Sequence, residues 1–208
     1  MNLYISKISA ALALICLIAF SSFAQMDEEA LELSVAQNLA RPAVPKKAET
    51  YVRTSMDQLR RRLVKNGFNV ASMRDGEVLR ITIPCDELFP IGSVDLKSSA
   101  LLSLSQLGSL VREPKKYKLL ITVHTDDTGD DQYADSISAA RANAVDDALW
   151  QIAGEKETNV IPYGLGKDEP LVDNSSRANR ARNRRVDIFI VPEVALIEQS
   201  GVKIKNNK

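Results

Sequence analysis

Two oppositely charged side chains stand out in the stretch HTDDTGDDQYADSISAARANAVDDAL. Asp126 lies in a polar segment after an apolar run, and Arg141 follows fifteen positions later within a segment of helical periodicity. A strand, a turn and a helix in this order bring a carboxylate and a guanidinium to one rim. Together they can hold a zwitterion, because the carboxylate attracts an ammonium. The guanidinium can donate two parallel hydrogen bonds to a carboxylate. The pattern indicates binding of an amino-acid-like ligand; the alternative is a salt bridge without a ligand.

The acidic residues around this pair do not have the pattern of a metal or catalytic centre. The chain has a single histidine, His124, which excludes a zinc site built from several histidines. No glutamate stands where a Ca²⁺ loop needs one. We expect Asp127, Asp130 and Asp131 to cap the following helix and to complement its dipole. No Ser, Thr or Cys has a predictable base nearby, so we predict no catalytic residue, no metal and no cofactor.

The charge balance argues against a nucleic-acid partner. The 208 residues contain 27 basic and 27 acidic side chains, and aromatic residues make up 5%. A neutral chain has no bulk attraction for phosphate. A basic run, SSRANRARNRRV, is therefore interpreted as partly pairing with the acidic turn at 126–131 and partly lining a small anionic site. Its arginines are Arg177, Arg180, Arg182, Arg184 and Arg185.

Residues 1–24 have the pattern of a secretory signal peptide. One basic residue precedes an apolar run from Ile8 to Phe20, and small residues precede a cut at Gln25. The run is short for a bilayer core of about 30 Å, so a membrane anchor is the weaker alternative. Cys16 does not fit a lipid-anchor site, because a large residue precedes it and it lies midway through the apolar run. The pattern predicts a protein of the periplasm or cell envelope.

The remaining chain is predicted to begin with an extension and then to alternate strands and helices. Residues 25–75 form a polar lead-in and an amphipathic helix over 49–65, with an apolar stripe. An Asp75-Gly76 pair between two apolar runs predicts a β-hairpin, because glycine supplies the positive φ of the turn. Residues 193–208 are expected to be a loosely ordered tail. The apolar stripe of the helix consists of Val52, Met56, Leu59 and Leu63.

The region 76–192 has the pattern of an α/β domain. One helix is expected over 96–111, and a second runs from about 132 to 152 with Arg141 at the edge of its apolar stripe. Strands are expected in the apolar runs at 118–124, 159–166 and 185–191. Strands that alternate with helices predict an α/β sandwich, with the helices packed on one face of a small mixed sheet.

Several motifs in this region resemble those of the OmpA-like peptidoglycan-binding domain. They are DGEVLRITIPCDELFPIGSVDL, ITVHTDDTGD, SISAARANAVDDAL, GLGKDEPLVDN and RNRRVDIFI, in the family's order and spacing over about 78–192. The resemblance implies a β-α-β-α-β-α-β domain outside the cytoplasm. It also implies non-covalent binding of the peptidoglycan stem peptide, without cleavage.

The resemblance also assigns residues to the ligand. In the family, the Asp of the TD motif pairs with the ammonium of meso-diaminopimelate, and the Arg of the RA motif forks its carboxylate. These positions are Asp126 and Arg141, and the Arg184 of NRRV lies beside the same pocket. Thr125 and Asn183 are implied as supporting residues. The chain departs from the family where Ala134 replaces a customary Asn, a loss of roughly 1 kcal/mol of hydrogen bonding.

Two functions follow from this reading of the sequence. The first is non-covalent tethering or sensing of the cell wall through diaminopimelate. The alternative is a periplasmic interaction or assembly module that kept the fold while its binding site diverged. In that case the helix at 49–65, with its apolar stripe, would be a docking or dimerising element, and its docking partner would be an envelope or outer-membrane protein.

Overall fold

The computed structural model describes residues 33–154 and 158–204. The predicted signal peptide, with Cys16, lies outside the described residues. The chain divides into two compact units, Met1–Asn38 and Leu39–Lys208, and the second contains the sheet. The described part of the chain contains no helix that is long and apolar enough to cross a membrane.

Five strands form one mixed sheet in the order β1-β2-β5-β3-β4. Neighbouring strands are antiparallel except β3 and β4, which are parallel. Helices connect β2 to β3, β3 to β4 and β4 to β5, so the predicted mixed α/β fold is confirmed. The strands are β1 (Asn69–Met73), β2 (Val78–Pro84), β3 (Tyr117–His124), β4 (Val160–Gly164) and β5 (Arg185–Pro192).

The hairpin predicted at Asp75-Gly76 joins β1 to β2, with Met73 opposite Val78. Its turn holds Asp75 at φ 52° and Gly76 at φ 91°. Both values lie in the left-handed region, which glycine adopts freely and aspartate tolerates better than most residues.

Along the chain, the helices of the described residues precede, separate and follow these strands. The longest, α6, begins where Oδ1 of Asp130 accepts a hydrogen bond from the Tyr133 backbone amide at 2.7 Å. It ends at Gly154, whose φ of 79° gives a left-handed cap. The helices are α1 (Val35–Ala40), α2 (Glu49–Lys65), α3 (Cys85–Leu88), α4 (Ser98–Ser105), α5 (Gly108–Val111), α6 (Asp131–Ala153), α7 (Arg177–Asn183) and α8 (Val194–Glu198).

The apolar stripe of α2 is buried in the core of the domain itself. Val52, Met56, Leu59 and Leu63 are each at most 5% exposed. They join a cluster that includes the inward-facing residues of β2, β3 and β5. The sequence-based alternative, in which this stripe docks a partner, is therefore wrong for the stripe: a partner would have to contact another face of α2.

Two local predictions differ from the structure. The helix expected over 96–111 is divided into α4 and α5, and Leu101, one of the apolar residues of this segment, is 44% exposed. The break lets α5 approach α6 closely at Gly108, where a Cβ would lie 3.1 Å from Ile152 Cγ2. Part of the expected loose tail is also ordered, because α8 buries Leu196 and Ile197 against the core.

Gly164, at the end of β4, fixes how closely the sheet approaches α6. A Cβ at this position would lie 2.3 Å from the backbone nitrogen of Ala139. Two residues later, the backbone amide of Gly166 donates to Ser138 Oγ at 3.0 Å, and its carbonyl accepts from the Thr125 amide at 2.7 Å. The G-x-G motif thus connects β4, α6 and the segment that carries Asp126.

We predict that Gly164→Ala lowers the free energy of unfolding by about 2 kcal/mol or more, because the new methyl group meets backbone rather than a movable side chain. Urea denaturation measures this loss. Gly108→Ala is the control, since its closest neighbours are the side chains of Ile152 and Arg112, and alanine favours a helix. Its effect should stay within about 1 kcal/mol. Equal losses in the two variants would contradict this account of β4 packing.

Candidate ligand-binding site

The register between β3 and β5 brings distant parts of the chain together. His124, the last residue of β3, pairs with Arg185, the first residue of β5. Asp126 follows the end of β3 and Arg184 precedes the start of β5, so both lie at the same edge of the sheet. The start of α3 lies there too, because the Cys85 amide donates to the Arg184 carbonyl at 3.0 Å.

Asp126 is held in one orientation by two hydrogen bonds. Its side chain is 8% exposed. Oδ2 accepts from Arg184 Nη1 at 2.6 Å, and Oδ1 accepts from the Thr128 amide at 2.9 Å. Burial alone would raise the pKa of Asp126, but the hydrogen bonds from Arg184 and Thr128 outweigh it and lower the pKa. The carboxylate is therefore ionised, and it keeps lone pairs for a further donor.

Arg141 is buried on α6 yet keeps part of its hydrogen-bonding capacity. It is 6% exposed, its Nε donates to the Ser93 carbonyl at 2.8 Å, and its guanidinium lies 5.1 Å from the centre of the Phe89 ring. Within the described residues, its two terminal nitrogens donate to no oxygen atom. An arginine that is anchored through Nε and an aromatic face holds its two terminal nitrogens in a fixed direction.

Arg184 connects two carboxylates at this edge. Besides Asp126, it approaches Asp86 on α3, with 3.6 Å between Nη2 and Oδ2. The Asp86 side chain is 62% exposed, so this second contact is weak. The sequence predicted Arg184 beside the ligand, whereas its contacts in the structure are with the protein's own acidic groups. Its direct effect is to position Asp126 and keep it ionised.

These charged groups line a pocket of about 410 Å³. The pocket brings together Asp126, Arg141 and Arg184, as well as Thr125, whose hydroxyl donates to the Asp126 carbonyl at 3.0 Å. Ala134, the departure from the family pattern, also lies in the wall. The remaining wall residues are Asp86, Ile91, Gly92, Thr128, Tyr133, Ile137 and Arg177.

Asn183 does not line this pocket but organises the loop before α7. It is fully buried, and its Oδ1 accepts from the amides of Leu171 and Val172 at 2.9 and 3.0 Å. Its Nδ2 donates to the Val172 carbonyl and to Asn174 Oδ1, both at 2.8 Å. Four hydrogen bonds from one amide fix the loop that leads into α7 and hence the position of Arg184.

His124 does not line this pocket. It is 2% exposed, and its Nε2 lies 3.0 Å from Thr122 Oγ1 and 3.7 Å from Asp187 Oδ2. Burial, together with Arg185, lowers its pKa to about 4, so the ring is neutral near pH 7. Among the residues that the structure describes, no group of His, Cys, Asp and Glu side chains could hold a metal ion.

Sequence reasoning missed three residues of the site. Phe89 and Ser93 anchor Arg141, and Asp86 contacts Arg184. All three lie in or beside the α3 segment and the loop after it, far from Arg141 in sequence. The one signal in the sequence was the end of the apolar run at Pro84. The strand β2 ends there, at the same edge of the sheet as the end of β3.

We predict that Asp126→Asn lowers the free energy of unfolding by about 1–3 kcal/mol at pH 7, because Arg184 loses a charged partner. The pKa of Asp126 is depressed in the folded state, so the stabilisation is fully present above the unfolded pKa near 3.9 and is lost as the pH falls through the folded value. Urea denaturation at pH 7 and at pH 3 should show the difference from wild type shrinking.

Asp127→Asn is the matched control for this substitution, because the neighbouring Asp127 is exposed. Its effect should stay within about 0.5 kcal/mol at both pH values. A difference between wild type and Asp126→Asn that does not change with pH would contradict a role for the ionised carboxylate.

Comparison with known proteins finds relatives in the bacterial outer membrane. The chain is 30% identical over 117 residues to outer membrane porin F of Pseudomonas aeruginosa, covering 56% of this chain and 33% of that protein. It is 40% identical over 76 residues to the outer-membrane lipoprotein YfiB of the same species, covering 36% of this chain and 45% of that protein. The chain therefore spans less than half the length of these relatives.

Solved structures share the fold. A MotB-like protein from Desulfovibrio vulgaris superposes with a TM-score of 0.60 at 25% identity, over 70% of this chain and 96% of that one. The cell wall anchor of the T6SS from Pseudomonas aeruginosa gives 0.52 at 28% identity, over 72% and 99%. Residues 88–184, which contain Asp126, Arg141 and Arg184, match the OmpA family. These residues thus form an OmpA family domain.

Proposed function

We propose that this domain binds peptidoglycan non-covalently by gripping the zwitterionic end of meso-diaminopimelate in the stem peptide. The observation that carries the proposal is that the terminal nitrogens of buried Arg141 donate to no oxygen atom of the described residues, in the same pocket as ionised Asp126. An ammonium and a carboxylate on one carbon atom match these two groups in charge and in number of hydrogen bonds.

The physical basis of the grip is preorganisation. Arg141 is already fixed by Ser93 and Phe89, and Asp126 is already fixed by Arg184 and Thr128. A ligand therefore replaces water on groups that need little reordering, which removes one of the main costs of binding. Arg184 acts through Asp126 in this scheme, while its positive charge also attracts the ligand carboxylate.

The relatives support an envelope location for this activity. One curated relative is an outer membrane porin, another is an outer-membrane lipoprotein, and one structural neighbour is a cell wall anchor. Together with the signal peptide predicted over residues 1–24, they favour a protein of the periplasm that tethers or senses the wall. Binding alone accounts for the site, so the proposal includes no enzymatic step.

Ala134 modifies the expected affinity rather than the mode of binding. It lies in the pocket wall and is 1% exposed. A methyl group there cannot donate or accept the hydrogen bond of the customary asparagine. The loss of one such bond, about 1 kcal/mol, weakens binding by less than tenfold. The two charged contacts are stronger than this and remain.

We predict that Arg141→Lys and Asp126→Asn each reduce retention on purified sacculi at least tenfold. Lysine keeps the charge of Arg141 but cannot donate two parallel hydrogen bonds to a carboxylate. Asparagine keeps the shape of Asp126 but loses its charge. A sedimentation assay over a range of protein concentrations gives the apparent affinities, and circular dichroism of each variant establishes that it is folded.

Arg182→Lys and Asp127→Asn are the matched controls, because both residues are exposed and neither lines the pocket. They should bind sacculi like the wild type. Wild-type retention by folded Arg141→Lys and Asp126→Asn would contradict the proposal. Absence of binding by the wild-type protein, with a stable protein partner in crosslinking, would favour the assembly-module alternative.

A further inference from the structure

Arg177 is a third arginine in the wall of the pocket. It lies at the start of α7 and is exposed. Within residues 33–154 and 158–204 it makes no hydrogen bond and no ion pair. The other two arginines in the wall are engaged, Arg141 with the Ser93 carbonyl and Arg184 with Asp126 and Asp86.

The charges of the wall do not balance. Three guanidinium groups, those of Arg141, Arg177 and Arg184, face two carboxylates, those of Asp86 and Asp126. The next acidic residues of the chain, Asp127, Asp130 and Asp131, do not line the pocket; Asp130 caps α6 and Asp131 pairs with Lys167. A zwitterion adds no net charge, so it leaves one positive charge of the wall unmatched.

The arginines of the basic run that contains Arg177 make different contacts in the structure. Arg180 donates to the Asn174 carbonyl at 2.8 Å, which ties down the loop before α7. Arg185 is buried and pairs with Asp187 at 2.9 Å. Arg182 lines a different cavity, of about 480 Å³. Arg184 positions Asp126, which leaves Arg177 as the member of this run that is both in the ligand pocket and free to bind an anion.

We propose that Arg177 binds a second carboxylate of the ligand, next to the zwitterionic end that Asp126 and Arg141 hold. This inference rests on the proposed function and specifies the ligand further. A stem peptide offers two such groups: the α-carboxylate of the γ-linked D-glutamate before diaminopimelate, and the carboxylate at the peptide's C-terminus. The domain then distinguishes stem peptides that carry this free carboxylate from those in which it is amidated.

The test is a set of calorimetric titrations of the mature protein with three soluble tetrapeptides, L-Ala–γ-D-Glu–meso-diaminopimelate–D-Ala. One has both carboxylates free, one has the glutamate carboxylate amidated, and one has the C-terminus amidated. Wild type should bind one of the amidated peptides about threefold to tenfold more weakly than the free peptide, as expected for a partly exposed charged contact. The affected peptide identifies the carboxylate.

Arg177→Gln should bind all three peptides with the same affinity, equal to that of the wild type for the affected amidated peptide. Arg182→Gln removes the same charge from the same helix but outside the pocket, so it should retain the wild-type preference. Equal affinity of the wild type for all three peptides, or equal losses in both variants, would overturn this inference alone. Failure of the wild type to bind any of the peptides would overturn the proposed function and this inference with it.

Discussion

The pairing of β3 with β5 is the constraint on which the site depends. With His124 opposite Arg185, the chain leaves β3 and enters β5 at the same edge, and Asp126 meets Arg184 across 58 positions of sequence. A shift of one residue in this register would turn the side chains of β5 to the opposite face and bury polar groups in the core. The apolar residues of the two strands therefore fix the charge pair of the site.

The second requirement is that the buried charged groups of the site have partners, and separate residues supply the partners of each group. Asp126 and Arg141 are each 6% exposed, which is costly for charged groups without partners. Arg184 and Thr128 offset this cost for Asp126, and Ser93 and Phe89 do so for Arg141. In each case the partners use only part of the bonding capacity. Both side chains line the pocket, so the interactions that stabilise the fold also orient these groups for the proposed ligand.

The elements with strong local signals could be predicted from sequence, whereas the contacts between them could not. Periodicity located α2 and α6, Asp75-Gly76 located the hairpin, and alternation located the sheet. The break between α4 and α5, which lets α5 pack closely on α6 at Gly108, is not visible in the periodicity of the sequence. Similarly, the anchoring of Arg141 by Ser93 spans 48 positions, and the role proposed for Arg177 follows from which of its neighbours are already paired.

The central claim is that one pocket holds an ammonium and a carboxylate borne by the same carbon atom. The most direct measurement compares, by calorimetry, a stem tripeptide that ends in meso-diaminopimelate with one that ends in lysine, which keeps the ammonium and lacks the side-chain carboxylate. The account predicts at least tenfold weaker binding of the lysine peptide, because the terminal nitrogens of Arg141 lose their carboxylate partner and stay desolvated. Equal affinity for the two peptides would contradict it.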